Sequence, residues 1–161
     1  MKIFYFLLLL SAQNVFAQKV DIVNVRNLFS HSAQKEEAVE KLLNLLESVN
    51  DNEPLLYGYK GVANIMLSKY KTFPWTKWEY FKKGKKMLEK AINKAPTNYE
   101  LHYLRYAIQS CLPDFLGYNV NLKQDKKILM NGYEKLKDTD LKKRVVKILR
   151  YNSIEIAENT R

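Results

Sequence analysis

At 161 residues and a formal charge of +10, the chain is long enough for one packed domain. It is also basic enough to favour anionic partners, such as polyanionic glycans, lipid headgroups, nucleic acid or acidic proteins, against the bland alternative of a solvated lysine surface. A single cysteine, Cys111, excludes an internal disulfide, so stability must come from packing. Five glycines, four prolines and no sustained alternation of Val, Ile or Thr with polar residues exclude a β-rich fold and predict an all-α one.

The chain opens with Met1-Lys2, the apolar run Ile3 to Leu10, and small-residue places at Val15 and Ala17 before Gln18, the order of a secretory signal peptide. The polar quartet Ser11-Ala12-Gln13-Asn14 interrupts the run well short of the roughly 20 apolar residues of a spanning helix. Cleavage after Ala17 is expected. Residues 18–161 then form a single soluble domain, periplasmic or secreted, of 144 residues and charge +9, since the leader contributes Lys2 alone. Export also demotes nucleic acid among the anionic candidates.

Seven short helices follow from the spacing. Val20 to Phe29 carries apolar residues at 22, 25, 28 and 29. From Gln34 to Ser48, with Ser32 as N-cap and Glu36 and Glu37 suited to the helix dipole, Ala38, Val39, Leu42, Leu43, Leu45, Leu46 and Val49 make one broad face. A third helix begins at Pro54 and ends near Tyr70. Thr76 is placed to cap a fourth, running to Lys94. Its apolar side is Trp78, Phe81, Gly84, Leu88, Ala91, Ile92 and Ala95, and its opposite side is Lys82, Lys83, Lys86, Lys90 and Lys94. The fifth, Tyr99 to Leu112, has two apolar faces, one of Tyr99, Tyr103 and Tyr106 and one of Leu101, Leu104 and Ile108, so it must be covered from both directions. After an aromatic loop at 113–119, helices over 122–136 and 141–157 complete the chain, the last with Leu141, Val145, Ile148, Leu149 and Ile156 on one side.

A central helix buried on two sides predicts stacked helical hairpins. Phe81-x2-Gly84-x3-Leu88-x2-Ala91-x4-Pro96 resembles the second half of a tetratricopeptide repeat, with Gly58, Gly61 and Ala63 as the close-contact residues of the first half and Lys69 to Thr76 as an insertion. Arg105 and Tyr106 stand near the next repeat's expected Leu-Gly pair, a departure from the pattern, and the likeness covers about a third of the mature chain. It implies a degenerate TPR-like α-solenoid of the exported bacterial type that presents a concave groove to a peptide or partner protein, and it transfers no particular binding residue.

Motifs for chemistry are sparse. His31 and His102 have no Cys, Asp or Glu at metal-ligand spacing on their own helices, so neither a zinc site nor any other metal or cofactor is expected. Cys111 lies nine residues from His102, too far along a helix for a nucleophilic pair, and reads as a buried small hydrophobe. Asp114 and Asp125 flank the aromatic loop and admit acid–base work on a sugar, although such residues more often serve helix ends. Trp75 and Tyr118 can stack on a sugar or clamp a peptide if exposed, or plug the junctions between hairpins if buried.

The leading expectation is an exported, non-enzymatic scaffold or adaptor that binds a protein or peptide. The alternative is a basic surface module for an anionic glycan or membrane headgroups, through Lys82, Lys83, Lys86 and Lys90 and the cluster Lys142, Lys143, Arg144, Lys147 and Arg150. An enzyme acting on envelope sugars ranks third.

Overall fold

A computed structural model describes the backbone of residues 20–159 and the side chains of residues 20–151. The expected leader and its cut after Ala17 lie outside the described residues, as does the side chain of Ile156. The described chain is all-α: α1 (Ile22–Ser32), α2 (Glu36–Leu45), α3 (Pro54–Tyr70), α4 (Pro74–Lys94), α5 (Tyr99–Gln109), α6 (Leu122–Gly132) and α7 (Thr139–Asn159). Single 3-10 turns occupy Asp114–Leu116 and Tyr133–Lys135. None of these helices is long and apolar enough to cross a membrane.

Local chemistry explains where they begin. Asp21 accepts the Val23 N–H at 3.0 Å to cap α1, and Asn98 accepts from Glu100 and Leu101 to cap α5. Two expected caps are corrected. Ser32 ends α1 and donates its hydroxyl back to the Leu28 carbonyl at 2.7 Å, leaving Lys35 as the N-cap of α2. Thr76 lies inside α4, which starts at Pro74 because proline at the first helical position forgoes an N–H that has no partner there.

α3 and α4 form a tight antiparallel hairpin closed by glycines. A Cβ added to Gly84 would lie 2.4 Å from the Gly61 carbonyl oxygen and 2.7 Å from the Ile65 nitrogen; one added to Gly61 would lie 2.8 Å from the Leu88 nitrogen. Only backbone fits between them. This contact turns Phe81, Gly84, Met87, Leu88, Ala91 and Ile92 inward and leaves Lys82, Lys83 and Lys86 outward. The hairpin tip runs past the core, which holds no buried apolar residue between Leu67 and Phe81. Trp78, expected inward, is therefore 47% exposed and reaches the core only by stacking on Phe81 at 5.5 Å.

α5 is covered from both directions, as its two apolar faces require: every residue from Glu100 to Gln109 is buried. Leu101 and Leu104 pack against Gly58 of α3, while the Tyr99 hydroxyl donates to the Leu129 carbonyl of α6 at 2.6 Å. α5 ends at Gln109, earlier than its apolar pattern suggests, so Cys111 falls beyond the helix and is exposed, a correction to its expected burial. Leu141 and Val145 of α7 are buried, with Ile148 and Leu149 packed beside them.

Candidate functional site

α5 carries charge inside the molecule, and two buried networks grow from it. On one side, Glu100 receives Arg26 of α1 in a bidentate pair at 2.6 and 2.7 Å and the Tyr59 hydroxyl of α3 at 2.6 Å. Arg26 also meets Asp138 at 2.8 Å and Asp140 at 3.2 Å at the start of α7. The Glu100 hydrogen bond holds the Arg26 guanidinium firmly protonated, and burial first, then Glu100, pushes the Tyr59 phenol well above its ordinary value. Arg144 of α7 returns the clasp, donating to Asp140, to Asn27 and to the Arg26 carbonyl.

On the other side, Asp125 of α6 is fully buried and accepts from Arg105 at 2.6 and 2.9 Å. His102 places Nδ1 2.8 Å from Asp125 and Nε2 2.9 Å from the Pro96 carbonyl; both are acceptors, so the ring satisfies them only as the imidazolium. Its hydrogen bond to Asp125 accordingly raises the His102 pKa. Burial works to raise Asp125, but Arg105 and then His102 outweigh it and hold the carboxyl below its ordinary range. Arg105 continues to Glu89 of α4 at 2.9 Å, and Glu89 accepts the Tyr118 hydroxyl. These groups are saturated by one another. They tie helices together.

The outer face of α4 is different. Trp75, Trp78, Lys82 and Lys86 recur at helical spacing and form one exposed stripe with Lys83 beside it. Trp75 is 64% exposed and lies stacked on Phe73, itself 55% exposed, at 4.8 Å between ring centroids. The Lys82 ammonium lies over the Trp78 ring at 5.7 Å, and Lys85 over Tyr118 at 4.7 Å. Lys83 and Lys86 have no carboxylate within ion-pair distance among the described residues. Glu79 is the only acid from Lys71 to Lys86, against six lysines at 71, 77, 82, 83, 85 and 86.

Of the residues singled out from the sequence, Lys82, Lys83, Lys86 and Trp75 fall on this face together. Lys90 does not belong to it: Asp51, between α2 and α3, pairs with Lys90 and Lys94 at 2.5 and 2.8 Å, and those two hydrogen bonds lower the Asp51 pKa to about 2. Tyr118 is not an exposed stacking group either. It is 3% exposed, edge-on to Phe81 at 6.1 Å, because burying its ring lets the hydroxyl reach Glu89. In the second basic cluster, Arg144 is consumed by the clasp to α1, while Lys142, Lys143, Lys147 and Arg150 share one face of α7. Asp114 accepts from Asn119 at 2.9 Å, and Asp125 is locked between His102 and Arg105, so the two carboxylates do not form an acid–base pair.

Sequence reasoning missed Phe73 as part of the exposed tip, although its place in the break before Pro74 pointed there. Among the described residues no group of three or more His, Cys, Asp and Glu side chains is arranged to hold a metal ion. Comparison with family models, with curated proteins and with solved structures finds no match for this chain, so its function rests on the residues themselves.

Proposed function

We propose that the protein is an exported, non-enzymatic helical binding module, working in the periplasm or outside the cell, that engages an anionic partner through the outer face of α4. The observation that carries this is the contrast along one helix. Lys90 and Lys94 are neutralised by Asp51, whereas Lys82, Lys83 and Lys86, one turn earlier, project into solvent with no carboxylate of their own. Unpaired like charges on a rigid helix repel one another and concentrate a positive field that an anionic surface relieves.

Salt separates this from a partner protein docked by apolar contact. The Debye length falls from about 10 Å at 0.1 M to about 3 Å at 1 M. Binding to immobilised dextran sulfate should therefore weaken steeply over that range. Joint reversal of Lys82, Lys83 and Lys86 to Glu should weaken it far more than the same reversal at Lys142, Lys143 and Lys147. Equal losses would assign the charge effect to net charge alone, and a partner whose affinity ignores both salt and reversal would favour the protein-docking reading.

A further inference from the structure

The lysine face ends in an apolar cluster that attraction between charges does not explain. Phe73, Trp75 and Trp78 crowd the hairpin tip, all largely exposed, with Pro74 fixing the turn that presents them. Phe81 and Tyr118 are buried in the core, while Phe115 and Tyr151, also exposed, lie outside α4 and have no aromatic stacked on them among the described residues. Two large rings stacked on each other in solvent leave their outer faces and edges in water, which is unfavourable unless a partner covers them.

We infer that the tip is an interfacial anchor for an anionic lipid bilayer, in which Phe73, Trp75 and Trp78 enter the headgroup region while Lys82, Lys83 and Lys86 meet the phosphates. This rests on the anionic-partner reading of α4 and names its partner. The chemistry is that of membrane interfaces: amphipathic indole rings settle at headgroup depth, and lysines just behind them are drawn to anionic lipid. The arrangement along the helix suits it. Trp75 and Lys86 are eleven residues apart, so about 16 Å of one helical stripe passes from apolar to cationic at 1.5 Å per residue. Lys82 lies against the Trp78 ring, so the charge sits directly over the apolar wedge. A glycan polyanion can stack a sugar ring on Trp75, but it has no apolar phase to take up Phe73, Trp75 and Trp78 together.

The chain supplies its own probe, because its only two tryptophans are Trp75 and Trp78. The full chain, with its N-terminus fixed by intact mass, is titrated with vesicles of phosphatidylcholine with and without phosphatidylglycerol, and separately with dextran sulfate. With phosphatidylglycerol, tryptophan emission should shift to the blue and be quenched by lipids brominated on the acyl chains. Phosphatidylcholine alone should give a much smaller response, and dextran sulfate should bind without a shift. Replacing Phe73 by Ser and Trp75 by Ser should weaken vesicle binding by at least about tenfold, since burial of the rings is lost, and leave dextran sulfate binding and the far-ultraviolet circular dichroism unchanged.

Vesicle binding with no shift and no quenching, or equal loss of both ligands in the tip variant, overturns the anchor while the anionic reading stands. Failure to bind either ligand, or binding that survives reversal of Lys82, Lys83 and Lys86, overturns both. A leader bound to the vesicles cannot mimic the expected result, because only insertion of the tip moves the tryptophan signal.

Discussion

Replacing Gly84 by Ala sets two well-defined effects against each other. In a helix interior, alanine is favoured over glycine by about 1 kcal/mol. Here the new methyl would lie 2.4 Å from the Gly61 carbonyl oxygen and 2.7 Å from the Ile65 nitrogen, both backbone atoms of α3. Ordinary contact needs roughly 3.5 Å, so the helices must part by about 1 Å, and a gap of that size forfeits a quarter to a half of each dispersion contact across it. Overpacking of this kind costs about 1–3 kcal/mol, toward the upper end where no side chain can swing aside. The net expectation, after the helix-propensity gain, is a loss of about 2 kcal/mol in urea unfolding followed by circular dichroism. Gly58→Ala should cost less, because its methyl meets the end of the Leu101 side chain and not the backbone. A Gly84→Ala protein as stable as the parent would refute the close-packed hairpin. The orientation of the lysine face would fall with it, because that contact sets the rotation of α4.

Arg26→Ala should destabilise by about 3–5 kcal/mol, since it strands the Glu100 carboxylate in the interior with the Tyr59 hydroxyl as its remaining donor, whereas the paired change Arg26→Met with Glu100→Gln should restore much of the loss in the same unfolding assay. His102 has a folded pKa above its unfolded value of about 6.5, so its contribution is complete below that pH and disappears as pH rises through the folded value. Stability should therefore decline from about pH 6 toward alkaline pH, and His102→Gln should flatten that slope; an unchanged slope would mean that the ring is not the titrating group. Cys111 should react with a thiol reagent in the native protein, and Cys111→Ser should shift stability by no more than about 0.5 kcal/mol, as befits an exposed site.

What was legible in the sequence is what repeats at short range. The 3.6-residue pattern placed the seven helices of the described residues, and the doubled apolar face of α5 correctly required neighbours on both sides. Trp78 shows the limit of that pattern: periodicity says which side of a helix a residue takes, and only the length of the neighbouring helices says whether anything is there to cover it. The buried charges were illegible for another reason. Arg26 finds Glu100 74 residues away, and Arg105 finds Asp125 20 residues away, so neither pair shares a helix on which spacing could reveal it. The lysine face was visible as amphipathicity, but its true extent was not, because Asp51 subtracts Lys90 and Lys94 from a distant turn.

The clasp between α1 and α7 changes how the molecule can come apart. In an array of stacked hairpins each unit leans only on its neighbours, and melting can begin at a free end. Here the two ends hold each other: Arg26 reaches forward to Asp138 and Asp140, and Arg144 reaches back to Asn27 and the Arg26 carbonyl. Peeling α7 away uncovers the buried Arg26, and peeling α1 away leaves Glu100 without its cation. α1 and the first turns of α7 therefore come apart together or not at all. α1 and the start of α7, more than a hundred residues apart in the chain, are one mechanical element, so a change at Arg26 is felt at Asp138 and Asp140.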